Sequence, residues 1–382
     1  MTEGWEERTL EEISKIFAGG DVDKNRLSKC KTETYNVPIF TNGEKNKGLY
    51  GYTDVAKVLE PSITISARGT IGYTEIRKEP FYPAIRLIVV TPKIDLAEIS
   101  YLKYAIETLT IDHSGVSIPQ LTVPMIKSYK VPLPPLEEQK RIVAILDEAF
   151  EGIEKAQENA EQNLANAREL FESHLNSIFI KKAKDWDEFM LGEICTKIQD
   201  GAHHSPQKLY PERNTGLFPY VTSKNIRNNY MDLSKIQYVD ADFHNTIYPS
   251  CKPELGDVLL TKDGANTGNV TLNTLDEPFS LLSSVCLIKP DRKKLNPAFL
   301  KYYTQSRPGF DMVTGNMTGA AIKRIILRTI KAALIPLPNV EQQARIVDGL
   351  DRHYSETQRL EAIYGQKLKD LAELKQSLLK KA

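Results

Sequence analysis

The side chains best suited to chemistry stand in two loop tracts that mix amides, hydroxyls and cations. The first tract runs over residues 24–47 and offers Lys24, Arg26, Lys29, Asn42, Lys45 and Lys47. The second holds His203, His204, Gln207, Lys208 and Arg213, then Ser223, Lys224, Asn225 and Arg227 within Thr222-Ser-Lys-Asn-Ile-Arg-Asn-Asn229. Arginine and lysine fit guanine O6 and N7, asparagine and glutamine fit adenine N6 and N7, and phosphate oxygens accept from all of them. Solvated loops are polar in most proteins, so one such tract alone argues little. Two tracts in matching places with different side chains suggest that two different things are read.

Other chemistries fit less well. Arg68-Gly-Thr-Ile-Gly72 and Lys262-Asp-Gly-Ala-Asn-Thr-Gly268 are glycine turns at matching positions. A phosphate loop needs Lys-Ser/Thr after its last glycine, and neither turn has it. They read as hairpin turns that leave Arg68 and Lys262 free to touch a phosphate backbone. Phe17-Ala-Gly-Gly-Asp21 has glycines like those of a methyl-donor site, but the chain lacks the Asn/Asp-Pro-Pro-Tyr/Phe segment that grips a target nitrogen. No catalytic residue is therefore assigned. His203 and His204 lack further ligands at metal spacing. Cys30, Cys195, Cys251 and Cys286 are scattered and read as free thiols, forming neither a metal site nor a disulfide framework.

The elements that must position these loops are set by a repeat. Pro132-Leu-Pro-Pro-Leu-Glu-Glu-Gln-Lys-Arg-Ile-Val143 recurs as Pro336-Leu-Pro-Asn-Val-Glu-Gln-Gln-Ala-Arg-Ile-Val347. Prolines end the preceding segment, and a helix starts after each, with Asn339 as a cap in the second copy. Ile142, Leu146, Ala149, Ile153, Ala156 and Ala160, then Leu164, Ala167 and Phe171, form a heptad-like seam with one stutter. Ile346, Leu350, His353, Thr357, Leu360, Tyr364, Leu368, Leu371 and Lys375 repeat it step for step. Each helix spans roughly 60 Å at 1.5 Å per residue and cannot bury its stripe alone, so the two are expected to pair. Glu137, Gln139, Arg141, Ile142 and Leu146, with Glu341, Gln343, Arg345, Ile346 and Leu350, are the candidates for helix pairing and partner binding.

The repeat extends over the whole chain, since Trp5 and Trp186 open matching segments. Four parts follow: a recognition domain over 1–131, a helix over 132–184, a second domain over 185–335 and a last helix over 336–382. The second domain carries about 23 extra residues, expected in loops. Strands are expected at Pro38–Thr41, Ser62–Ser66, Ile85–Val90 and Met125–Val131, with a helix over Ala97–Thr108. In the second domain strands are expected at Leu255–Thr261, Ser283–Ile288 and Ile330–Ile335, with a helix over Pro297–Gln305. The fold class is α/β: two similar mixed α/β domains separated by two long antiparallel coiled-coil helices in a pseudo-twofold repeat.

With 382 residues the chain suits two domains. Its 50 basic and 50 acidic residues balance, which speaks against a general nucleic-acid coat and requires any DNA surface to be local. The acidic start is no signal peptide and no run is apolar enough to span a membrane, so the expected location is the cytoplasm.

The repeated Pro-Leu-Pro…Glu-x-Gln…Arg-Ile-Val junction before long helices, the Trp-x-x-x-x-Leu-x-Glu-Ile openings and Pro219-Tyr-Val-Thr-Ser-Lys-Asn-Ile226 resemble the specificity subunit of type I restriction-modification systems. The resemblance implies two target-recognition domains, each reading one half of a bipartite site in double-stranded DNA. It also implies helices that set the spacing and dock two modification subunits, with restriction subunits as optional partners. The chain would be non-catalytic and bind no cofactor, S-adenosylmethionine being held by the modification subunits. The alternative from the residues alone is a coiled-coil adaptor that binds proteins and not DNA.

Overall fold

The structure, a computed structural model, describes residues 5–109, 120–181, 185–315 and 324–381. Contacts divide the chain into two units: residues 1–161 with 366–382, and residues 162–365. Each unit is one globular domain plus part of each long helix.

In the first unit an antiparallel sheet runs in the order Ser14–Ala18, Ile88–Pro92, Ser62–Ile65, Thr74–Arg77. A smaller sheet has Val37–Phe40 at its centre, antiparallel to Leu49–Thr53 and parallel to Tyr82–Pro83. Glu6–Thr9 pairs with Lys130–Leu133 where the domain meets the first long helix. The second unit repeats all three sheets. Cys195–Asp200, Val285–Pro290, Val258–Thr261 and Val270–Leu272 form the larger one, and Gln237–Val239, Phe218–Val221 and Ser280–Leu281 the smaller. Asp187–Met190 pairs with Leu334–Leu337. The register therefore equates Ile63 with Val258, and Ala18 with Asp200.

Several expected strands shift or change type. Met125–Val131 is a helix, Val123–Ser128, followed by the strand Lys130–Leu133. Ile330–Ile335 likewise contains a helix, Leu327–Ala332, before Leu334–Leu337. Short apolar runs do not distinguish a strand from one buried helical turn; Ile126 and Ile330 fill the core from helices. Arg86, at φ 63°, delays the expected strand at Ile85 to Ile88. The extra residues of the second domain are not all loop. The offset between copies grows from 186 at Thr53/Val239 to 195 at Ile63/Val258, where the helix Ala241–Cys251 intervenes. Asp240 caps that helix by accepting from the Phe243 N–H at 2.9 Å.

The long helices run over Leu136–Lys181 and Val340–Lys381. Pro135 contributes its carbonyl to the first turn of one, and Asn339 Oδ1 accepts from the Gln342 N–H at 2.9 Å in the other. Ile142, Leu146, Ile153, Ala160 and Ala167 are buried along the expected seam. Within the first unit Glu154 lies 3.9 Å from Lys375; within the second Arg168 lies 2.5 Å from Glu361. In the second unit Phe171 meets Tyr354 and His174 meets His353 as well, so partner numbers fall as the first helix's numbers rise and the helices are antiparallel.

Gln139 and Gln343 are both wholly buried. The Gln139 Oε1 accepts from the Glu98 N–H at 2.8 Å, and its Nε2 donates to the Leu96 and Pro134 carbonyls at 2.9 and 2.8 Å. Gln343 makes the same three bonds, to the Asn296 N–H, the Lys294 carbonyl and the Pro338 carbonyl, at 2.8, 2.9 and 2.8 Å. The assignment of these two residues to partner binding is therefore corrected: each fastens a helix start to its own domain. A second fastening repeats beside it, Tyr104 donating to Asp147 and Tyr302 to Asp351, each at 2.5 Å.

One buried charge in the second unit has no carboxylate at hydrogen-bond distance among the described contacts. Lys301 is buried with its Nζ 3.8 Å from the centre of the Tyr302 ring. Burial pushes its ammonium down to about 8 from 10.5. The folded state thus binds this proton less tightly than the unfolded chain, so stability rises with pH between about 8 and about 10.5. Lys301→Met should be more stable than wild type at pH 7 by about 1–3 kcal/mol, the ring face offsetting part of the burial cost. The gain should shrink toward pH 10. Melting curves that stay parallel from pH 7 to 10 would contradict this.

Candidate nucleic-acid interface

In the first unit three segments are drawn to one end of the sheets. Asn42 Oδ1 accepts from the Ala67 N–H at 2.7 Å and its Nδ2 donates to the Ile85 carbonyl at 3.0 Å. The Gly43 N–H donates to Ser66 Oγ at 3.0 Å. In the second unit the corresponding segments are also joined, through different hydrogen bonds. The Ser223 N–H donates to Ser284 Oγ at 3.2 Å, Asn266 Nδ2 to the Ser223 carbonyl at 3.1 Å, and the Lys262 N–H to the Ser284 carbonyl at 2.8 Å. Backbone and short side chains hold the loops, which leaves the longer side chains to differ. The two glycine turns are hairpin turns, as expected, joining antiparallel strands.

The expected reading residues separate into those that face solvent and those spent on the fold. Lys24 and Lys45 lie exposed on short helical turns, the first capped by Asp23. Lys29 lies over the Tyr50 ring at 3.9 Å, and Lys208 over Tyr210 at 4.6 Å, both exposed. Arg68 is exposed and donates to Gln120 Oε1 at 2.8 Å. His203, Gln207 and Lys224 are exposed; His204 is exposed and sets its ring edge-on to Phe243, 5.7 Å between centres.

The remainder need correction as free contacts. Arg26 grips Asp54 through Nε and Nη2, at 2.9 and 2.7 Å, and that hydrogen bonding holds the Asp54 carboxyl below the usual range. Arg213 grips Glu277 at 3.1 and 2.7 Å. Lys47 pairs with Glu75 at 3.2 Å. Asn42 is the loop clip already described, and Ser223 is half-buried in the second unit's join. Asn225 is buried, accepting from the Thr222 N–H and donating to the Asp232 carbonyl, each at 3.0 Å. Arg227 donates to the Ile226 carbonyl at 3.0 Å and lies 3.6 Å from Asp232. Lys262 is not free to touch a phosphate: it is 7 % exposed, and its Nζ donates to Asp200 Oδ2 at 2.6 Å. Its register partner is Ala67, so Arg68 matches Asp263.

The sequence missed Arg86, which shares Gln120 Oε1 with Arg68 at 3.3 Å. Its left-handed backbone is the structural sign of a special position, invisible in composition. It missed Asp200 as well, which reads as one more polar residue at a strand end.

On the helices, Glu137 pairs with Lys140 at 2.8 Å, Arg141 with Glu138 at 2.7 Å and Arg345 with Glu341 at 3.4 Å, all along exposed surface. Ile142 and Leu146 pack with Tyr101, Phe150, Ile153 and Leu379. Leu350, with Ile346 against it, packs into the core of Phe179, Phe299 and Tyr302. These four contact their own domain as well as the helix pair.

Two copies of one α/β scaffold, each continued by a long helix and carrying unlike loop side chains, define an internally duplicated protein. The chain belongs to the family of type I restriction modification DNA specificity domains, which matches residues 2–162 and 183–370. S.MpnORF89P of Mycoplasma pneumoniae, named as a type I specificity subunit, is 38% identical over 136 residues, or 36% of this chain and 40% of that protein. The chain thus spans about two fifths of that relative's length. The EcoBI specificity subunit of Escherichia coli is 22% identical over 299 residues, covering 72% of this chain and 62% of that one. The HsdS subunit of Thermoanaerobacter tengcongensis aligns over 100% of this chain and 97% of its own, with TM-score 0.59 and 19% identity. A chain solved for complex assembly of the type I R-M system aligns over 100% and 98%, with TM-score 0.78 and 20% identity. The structural likenesses give the fold. No helix among the described residues is long and apolar enough to cross a membrane.

Proposed function

We propose that this chain is the DNA-reading subunit of a type I restriction-modification complex, each recognition domain binding one half of a bipartite double-stranded site. The observation that carries the reading is the repeated loop scaffold: the Ala84 N–H donates to the Phe40 carbonyl at 2.7 Å as the Leu282 N–H does to the Val221 carbonyl at 3.0 Å, while the exposed side chains around them differ. The paired helices set the distance between half-sites and dock two modification subunits, which hold S-adenosylmethionine and carry the methyl transfer; restriction subunits are optional partners. The chain itself is non-catalytic and works in the cytoplasm. No feature among the described residues favours the protein-binding adaptor.

Lys208 and Lys224 test this. Both are exposed, and neither forms an ion pair among the described contacts, so replacing both with alanine should leave folding intact. If each touches a phosphate, the slope of log affinity against log salt should fall by about two units in total. Unchanged affinity and slope would remove this loop pair from the DNA surface.

A further inference from the structure

Asp200 and Lys262 form a buried ion pair in the second domain, both 7 % exposed. The strand register places Ala18 and Ala67 at the same two positions of the first domain. The scaffold therefore needs neither charge. Such a pair is seldom more stable than apolar groups in its place, because both ions lose their hydration. Here the arrangement is costlier still. Asp200 Oδ1 and the neighbouring Thr261 Oγ1 are buried with no hydrogen-bond partner among the described residues. Uncompensated polar groups of this kind are expected where function requires them.

The pair lies where the loops converge. Lys262 is joined through its N–H to Ser284, and Asp200 ends the strand that leads into His203 and His204. The His203 ring stands beside it, with Nε2 3.9 Å from Asp200 Oδ2, and that side chain is 76 % exposed. A ligand approaching the pair from this side would turn it aside. Asp200 then offers a free acceptor, and Lys262 offers donors, since only one of its three is used on Asp200. A lone carboxylate facing DNA would be repelled by the phosphates; the adjacent ammonium neutralises it.

In the major groove an edge that presents a donor beside an acceptor belongs to adenine, through N6 and N7, whereas guanine presents two acceptors. We propose that Asp200 and Lys262 are specificity-determining residues of the second domain that read an adenine once His203 swings away. This rests on the DNA-reading function proposed above.

The test is selection from a randomised duplex library with the full chain and its variants, followed by sequencing. Wild type should enrich a bipartite site. Asp200→Ala/Lys262→Ala, which restores the first domain's residues, should lose preference for adenine at one position of one half-site by about 10- to 100-fold, all other positions being kept. Asp200→Asn keeps the size and an oxygen for Lys262 but turns the free acceptor into a donor, so the same position should shift from adenine toward guanine. That single change also serves if the double variant does not fold. An unaltered consensus in the folded variants overturns the proposal, as does uniform weakening with the consensus intact. Failure of wild type to enrich any sequence would instead overturn the DNA-reading function, and this inference with it.

Discussion

Replacing residues 185–335 with the matching segment of another family member is expected to change one half of the recognised DNA site and leave the other as it was. Affinity for the original site should drop by at least about 10³-fold, toward the level of non-specific binding. The physical basis is the way the domain is fastened. Gln343 bonds to the Lys294 carbonyl and the Asn296 N–H, both backbone atoms, so any domain that brings the same backbone turn can be held whatever side chains it carries. Tyr302 to Asp351, by contrast, needs a particular side chain on the incoming domain. Library selection on the chimera reads the outcome directly. A change in both halves, or in neither, would refute independent reading.

The second large effect is on stability. Gln343→Ala should destabilise the second unit, and Gln139→Ala the first, by at least about 3 kcal/mol each. In each case a backbone N–H and two carbonyls lose their partner inside a buried junction, at about 1–3 kcal/mol per group. For a unit of this size that lowers Tm by roughly 6–12 °C. An exposed glutamine of the same helices, such as Gln342, should tolerate alanine within about 0.5 kcal/mol. If the buried and exposed substitutions melt alike, the junction is not held by these side chains.

The repeat, the proline-marked junctions and the two long helices were legible because identity at fixed offset and heptad spacing are properties of the chain alone. The role of Gln139 and Gln343 was not. An identical pair at a helix start fits a partner contact as well as a buried fastening, and only the fold places Glu98 and Asn296 against them. The same limit applies to the loop cations. Arg26, Arg213 and Lys262 look free in sequence, yet their carboxylates lie 28, 64 and 62 residues away. Composition counts charges but cannot pair them across a turn of the chain. The helix Ala241–Cys251 escaped because it is short, carries Pro249 and sits where the two copies differ.

The division of the chain into units also imposes an order of assembly. Residues 162–365 are one unbroken segment, whereas the first unit needs residues 366–382 as well as 1–161. Leu379 closes the cluster of Ile142, Leu146, Phe150 and Ile153 from the far end of the sequence. Joining segments so distant costs loop entropy that nearby contacts do not incur, and such contacts form slowly. As the chain leaves the ribosome, the unit that is begun first is completed last, its apolar helix face left waiting until the final turns of the second long helix have been made.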